Sequence, residues 1–147
     1  MIFKFLSYTQ WPDSAFEAAD SPYQIWVLGS SPISDELTSI IRGRTVNERP
    51  VTLYQAATGK RVVRPHVVFV GRDAERYLSD IAGQPGNKPA LVVTESEDRL
   101  EDGSTINLRL IGGRIGFDVS LGNAAKSNLK LSSRLPSVAS SVEREEP

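Results

Sequence analysis

The chain has 147 residues, of which 39% are hydrophobic and 24% are charged, as in one soluble globular domain and unlike a disordered or membrane protein. It carries 17 Lys and Arg against 18 Asp and Glu, so it lacks the basic excess usual in general nucleic-acid-binding domains. Cysteine is absent and histidine occurs once. This excludes disulfides, thiol nucleophiles, iron–sulfur clusters and zinc sites built on cysteines or on several histidines of one chain.

The first two thirds of the sequence predict alternating helices and strands. The first helix ends near Gln10, because Pro12 disfavours helix in the residue before it. Segments that are apolar on both faces predict buried strands, and apolar residues at helical spacing predict amphipathic helices between them. In chain order these elements are the first helix, strand 23–29, helix 33–41, strand 51–54, strand 67–70, a helix capped by Asp73, and strand 90–94. Such units imply a parallel sheet covered by helices, with strand 67–70 at its centre.

The last third has a different pattern. Residues 105–111 and 114–121 alternate between apolar and polar, and Gly112 and Gly113 lie between them. Two glycines between alternating runs predict a β-hairpin with a two-residue turn.

Two helices are predicted after the hairpin, one over 122–131 and a short one ending at Val142. The charged residues that follow predict a disordered tail at 143–147. We therefore expect one α/β domain over residues 1–142, with a mostly parallel sheet and a C-terminal β-hairpin.

His66 is the one histidine and stands just before strand 67–70. A catalytic histidine needs a nucleophile or an orienting carboxylate, and no motif supplies one here. A structural role at the end of the strand is therefore favoured. An enzyme that uses His66 with Glu95 or Asp118 stays as an alternative.

The charges are unevenly distributed along the chain. The stretch 42–64 has six bases and one acid, whereas 73–102 has eight acids and three bases. Ordinary solvated faces can have such a pattern, and so can a partner surface or a self-complementary dimer contact. Within the basic stretch, the candidate partner-binding residues are Arg44, Lys60 and Arg61.

A set of short segments runs in one order over nearly the whole chain. They are Phe5-Leu6, Trp11-Pro12, Ile25-Trp26-Val27-Leu28-Gly29 with Pro32 and Leu37, Gly43-Arg44, Val67-Val68-Phe69-Val70, Leu91-Val92-Val93-Thr94-Glu95, Gly103 with Ile106, Ile115 with Phe117-Asp118-Val119, and Leu129 with Leu131-Ser132-Ser133-Arg134-Leu135. The ordered set resembles the YfiR family, periplasmic repressors of a membrane-bound diguanylate cyclase. In this resemblance Trp11, Pro12, Gly29 and Gly103 are structural motif residues.

The sequence departs from the family pattern at three places. Pro65-His66 stands where members often have a cysteine before the central strand. Asp102-Gly103 replaces a double glycine, and Phe117-Asp118-Val119-Ser120 replaces the usual F-E-I-N. The missing thiols leave redox control through disulfides without support, but they do not affect the expected fold.

The resemblance implies a three-layer α/β/α domain, and export to the periplasm by a signal peptide preceding this sequence. It implies a non-catalytic protein without a cofactor that binds the periplasmic sensor domain of the cyclase. An outer-membrane lipoprotein would release it, raising cyclic-di-GMP and favouring biofilm. The alternative is a sensor of small molecules, with its ligand at the carboxyl ends of the strands near Gly29–Ser31, Gly71–Arg72 and Glu95.

Overall fold

The computed structural model describes the elements that build the sheet and its connections. The described residues are 2–12, 15–16, 18, 21–29, 35–36, 38–39, 43–46, 48–56, 65–78, 90–95, 104–111, 114–127, 129–132 and 141–143. The helices with described bounds are α1 (Ile2–Tyr8), a 3₁₀ helix (Arg72–Tyr77) and α2 (Leu121–Lys126). The strands are β1 (Thr9–Gln10), β2 (Tyr23–Leu28), β3 (Thr45–Val46), β4 (Arg49–Ala56), β5 (Val67–Val70), β6 (Leu91–Thr94), β7 (Ile106–Ile111), β8 (Arg114–Ser120), β9 (Lys130–Leu131) and β10 (Ser141–Glu143).

Eight of these strands form one mixed sheet in the order β10-β8-β7-β6-β5-β2-β4-β3. Neighbours from β4 through β2, β5 and β6 to β7 run parallel, and so do β10 and β8. The pairs β7/β8 and β3/β4 are antiparallel. The chain is therefore an α/β protein with a mostly parallel sheet, as the sequence predicts.

Strand β5 lies inside the sheet, between β2 and β6. Each of its four side chains is at most 1% exposed. Phe69 is in register with Val27 and Val93 and packs in the core cluster on one face, whereas Val68 and Val70 pack in a second cluster on the other face. A strand that is apolar on both faces needs cover on both, and this confirms the predicted central position of 67–70.

The first helix is shorter than predicted. It ends at Tyr8, and Thr9 and Gln10 form β1, which pairs antiparallel with β9 in a small separate sheet. Thr9 is buried and opposite Leu131, so pairing with a distant segment overrides the helical spacing of the sequence.

The region after the hairpin strands also differs from prediction. Helix α2 begins one residue earlier, because the Ser120 hydroxyl caps it by accepting a hydrogen bond from the Asn123 N–H at 3.1 Å. It ends at Lys126 rather than at residue 131. In place of a last helix through Val142, Ser141–Glu143 form β10, parallel to β8. The strand includes the first residue of the predicted tail, and 144–147 lie outside the described residues.

Two further predictions are wrong in detail. Strand β4 spans Arg49–Ala56 and is twice as long as the predicted 51–54. The cap of the 3₁₀ helix is Gly71 and not Asp73, which lies within the first turn. Gly71 has no side chain with which to cap, and its N–H donates to the Leu28 carbonyl at 2.8 Å, which ties the helix start to the end of β2.

Candidate functional site

The ring of His66 joins three segments of the chain. Its Nδ1 accepts a hydrogen bond from the Gln24 N–H at 2.9 Å, and its Nε2 lies 2.8 Å from the Ala15 carbonyl. The Trp11 indole N–H donates to the His66 carbonyl at 3.1 Å. A carbonyl only accepts, so Nε2 carries the proton and the ring is the neutral tautomer. Both ring nitrogens therefore have backbone partners.

Aromatic rings surround this histidine. Phe16 stacks on it with 4.4 Å between ring centroids and 15° between planes, and Trp11 and Tyr23 present their edges at 6.1 and 5.9 Å. The Arg49 guanidinium lies 3.6 Å from the centroid of the Phe16 ring. We call Trp11, Phe16, Tyr23, Arg49 and His66 the His66 junction.

Arg49 holds two described residues that precede β2. Its guanidinium donates to the Ala18 carbonyl at 3.1 Å and to the Ser21 carbonyl at 2.7 Å. Burial lowers the pKa of His66 below its ordinary value of 6.5, and the positive charge of Arg49 lowers it further against the opposing effect of the Ala15 carbonyl. The neutral His66 ring and the charged Arg49 guanidinium therefore anchor the backbone of Ala15, Ala18, Ser21 and Gln24.

A cleft of about 440 Å³ lies beyond the carboxyl ends of β2 and β4. The described residues that line it are Val27, Gly29, Gln55, Ala56, Asp73, Ala74, Arg76 and Tyr77. The Arg76 guanidinium lies 5.0 Å from the Tyr77 ring centroid. In open α/β sheets, ligands bind in the crevice beyond the carboxyl ends of the strands, which is where this cleft lies.

Gly29 shapes one wall of this cleft. Its φ of 78° is in the left-handed region, which favours glycine. A Cβ at this position would overlap the Asp73 carboxylate. Glycine therefore lets the chain leave β2 and pass close to the 3₁₀ helix.

The carboxylate Glu95 lies at the end of β6, where it is 7% exposed. It accepts a hydrogen bond from the Arg72 N–H at 2.7 Å. Beside it on β6, Thr94 Oγ1 is 2.8 Å from both Ser104 Oγ and Asn107 Oδ1. These contacts join the end of β6 to the start of the 3₁₀ helix and to β7 with the residue Ser104 that precedes it. The Arg72 contact is to backbone, and both nitrogens of His66 are occupied by backbone groups, so no described contact joins the histidine to a carboxylate.

Among the described residues, no group of three or more acidic or histidine side chains is placed to hold a metal ion. The helices of the described part are all too short or too polar to cross a membrane.

The comparison with known families covers almost all of the chain. The model of the YfiR/HmsC-like family matches residues 1–140. The chain belongs to the YfiR/HmsC-like family. No curated protein matches it.

In this member of the family, the predicted site residues that the structure describes have different environments. Trp11 is 6% exposed and packs in the core, and the Pro12 carbonyl accepts a hydrogen bond from the Ala15 N–H at 2.9 Å. Arg44 is exposed just before β3, and its carbonyl accepts from the Val51 N–H. Lys60, Arg61 and Gly103 lie outside the described residues.

Sequence reasoning did not find two features of this YfiR/HmsC-like chain. The first is the Arg49–Phe16 contact, since the loop that carries Phe16 has no motif. The second is the stacking of Trp26 on the exposed Tyr54, with ring centroids 4.6 Å apart. A parallel register of β2 and β4 places these rings side by side, and the sequence does not contain that register.

Proposed function

We propose that this protein is a non-catalytic periplasmic regulator that binds the sensor domain of a membrane diguanylate cyclase and holds the enzyme inactive. By doing so it lowers cyclic-di-GMP and restrains biofilm formation. Membership of the YfiR/HmsC-like family over residues 1–140 supports the proposal. A regulator that prefers one state of its partner shifts the equilibrium by binding alone and needs no catalytic residue or cofactor.

The observation that supports a binding role most directly is the state of His66. It is the one histidine of the chain, and its two ring nitrogens are bound to the backbone of Gln24 and Ala15. A general base must reach a proton on substrate, and a ring held in this way has no free nitrogen to do so. The histidine is thereby explained as part of the fold.

The proposal includes a domain of three α/β/α layers over 1–142, with the antiparallel strands β7 and β8 joined as a C-terminal hairpin. Its partners are the cyclase sensor domain, an outer-membrane lipoprotein that releases the repressor, and a second copy of the chain. The surface toward the sensor domain includes part of the basic stretch, with Arg44, Lys60 and Arg61. The exposed position of Arg44 supports this assignment.

Titration of the purified protein against the purified periplasmic domain of a cyclase encoded beside it tests the proposal. We expect saturable binding, and we expect the protein to lower cyclic-di-GMP synthesis when it is added to the full-length cyclase in membranes with the periplasmic side accessible. The His66→Asn variant, confirmed to be folded, serves as a control and should repress within a few-fold of the wild type. Absence of binding by the wild type would contradict the proposal, and abolished repression by the folded variant would favour a role of His66 in chemistry or ligand binding.

The cleft favours a second candidate function, the sensing of a small molecule. The cleft is lined by Asp73, Arg76, Tyr77 and the Gln55 amide. These side chains offer an anionic, a cationic, an aromatic and an amide group to a polar ligand. Thermal unfolding with a panel of amino acids and nucleotides would detect such a ligand, since a ligand at 100 times its Kd stabilises by about 2.7 kcal/mol. The Arg76→Ala variant should lose that shift, whereas Arg44→Ala, outside the cleft, should keep it.

A further inference from the structure

Within the described part of the chain, the outer edge of β4 lacks a strand partner over most of its length. On its inner side, β4 pairs with β2 along Val51–Ala56. On its outer side, β3 covers only Arg49 and Pro50. Beyond Pro50, no other strand in the described part of the chain pairs with this edge.

The hydrogen bonds of β4 show which backbone groups face outward. The Val51 N–H donates to the Arg44 carbonyl at 3.2 Å, on the side of β3. Alternate residues of a strand direct their N–H and C=O groups to the same edge. Leu53 and Gln55 therefore present four backbone groups at the open edge, while Tyr54, between them, bonds toward β2.

The side chains of β4 do not block this edge. None of its eight residues is buried, and Tyr54 is 38% exposed while its ring stacks at 19° on Trp26. Natural edge strands are usually protected by charged side chains, proline or short length. The segment Val51–Ala56 has no charge and no proline.

We propose that this edge pairs with the same edge of a second copy, antiparallel, about a two-fold axis beside Tyr54. In this register Leu53 faces the partner's Gln55, and Gln55 faces the partner's Leu53. Both are hydrogen-bonded pairs of an antiparallel ladder, so the four outward groups of each copy meet those of the other with none left over. Tyr54 faces the partner's Tyr54, as a close non-hydrogen-bonded pair.

The ends of the strand fit the same register. Val51 is already bonded to Arg44, so pairing with a partner cannot extend past Thr52 in that direction. Thr52 faces the partner's Ala56, which is where β4 ends. The open segment is thus symmetric about Tyr54, as an isologous contact requires, and it brings no like charges together.

The absence of cysteine from the chain permits a direct test. A thiol introduced by Tyr54→Cys would lie on the two-fold axis, with Cα atoms about 4.5 Å apart in a close antiparallel pair, within the range of a disulfide. Gln55→Cys is the matched control, because its two copies would lie on a diagonal about 7–8 Å apart. Under mild oxidation we expect Tyr54→Cys to form covalent dimers at least about ten-fold faster than Gln55→Cys. Equal rates would overturn the proposal.

A second measurement is the oligomeric state of the wild type, determined by analytical ultracentrifugation over a range of protein concentrations. We expect a reversible dimer, and we expect Leu53→Pro to weaken its association at least about ten-fold, because proline removes an outward N–H that the β2 pairing does not use. Leu53→Ala, which keeps the backbone donor, should remain dimeric. A monomeric wild type, or unchanged dimerisation of folded Leu53→Pro, would overturn the proposal. Neither measurement uses the cyclase, so both outcomes are independent of the proposed repression.

Discussion

The His66 junction and the outer edge of β4 both adjoin the large sheet, and they differ in whether their polar groups are hydrogen-bonded within the chain. At the junction, the ring nitrogens of His66 and the indole N–H of Trp11 all find partners within the chain. At the edge, the outward backbone groups of Leu53 and Gln55 find no strand partner in the described part of the chain. Satisfied buried groups specify structure, whereas exposed unsatisfied ones are available to a partner.

This contrast separates two kinds of experimental effect. Changes at the junction should appear first in the free energy of unfolding, because its buried polar groups are hydrogen-bonded within the chain. Changes on the exposed surface should leave that free energy almost unchanged and appear in association. The variants below separate effects on the free energy of unfolding from effects on association.

The largest effect is expected from Trp11→Ala. The side chain is 6% exposed, packs beside Tyr23 at 5.4 Å between centroids and donates to the His66 carbonyl. Truncation of a buried aromatic costs about 3–5 kcal/mol, which urea unfolding would measure. Trp11→Phe should lose less, because it keeps most of the packing and removes only the indole hydrogen bond. Wild-type stability combined with lost partner binding would instead make Trp11 an exposed contact residue.

A smaller loss is expected from Gly29→Ala. A residue other than glycine at φ 78° is strained, and the new methyl would meet the Asp73 carboxylate. Together these should cost about 1–3 kcal/mol. In the Asp73→Ala background the carboxylate is gone, so the same substitution should cost measurably less. Equal costs in the two backgrounds would show that the backbone conformation alone requires glycine.

The next effect is a dependence of stability on pH. Protonation of His66 would place a proton on Nδ1, which accepts from the Gln24 N–H, and would add charge near Arg49. The native pKa lies below 6.5, so the unfolded chain binds this proton more readily. The stabilisation from the neutral ring is thus complete above about pH 6.5 and is lost as the pH falls below it, by at most about 1.4 kcal/mol per pH unit.

His66→Gln isolates this contribution, because glutamine does not titrate. Urea unfolding of both proteins is measured at several pH values between 7.5 and 5. The difference between their free energies of unfolding cancels the contributions of the carboxylates, because both proteins have the same carboxylates. We expect the stability difference between them to narrow as the pH falls. Parallel curves would mean that His66 titrates alike in the folded and unfolded chain.

The sequence predicted the parts of the fold that depend on local pattern. The run 67–70 is apolar on both faces, and only the interior of a sheet accommodates such a strand. The short strands β1, β9 and β10 were missed because each depends on pairing with a segment far along the chain. Neither helical spacing nor composition contains that information.

The same limit applies to the candidate sites. The residue type and position of His66 led to the expectation of a structural role, and its two backbone partners agree with that expectation. The open edge of β4 could not be predicted, because it depends on β3 covering only two residues of a strand twice the expected length.

The smallest effect on stability is expected from reversing Arg44, Lys60 and Arg61 to Glu. Arg44 is exposed, and charge changes away from special sites usually alter stability by less than about 0.5 kcal/mol. If the basic stretch contacts the sensor domain, the triple variant should bind more weakly and with less dependence on salt, because charges at an interface rim act mainly on the association rate. Titrations at two salt concentrations measure both the affinity and its salt dependence. A folded triple variant that binds with wild-type affinity at both concentrations would show that these three residues do not contact the sensor domain. Reversal of the three acids Asp35, Glu36 and Glu48 to Lys, which are likewise exposed, provides the matched control and should not weaken binding in this way.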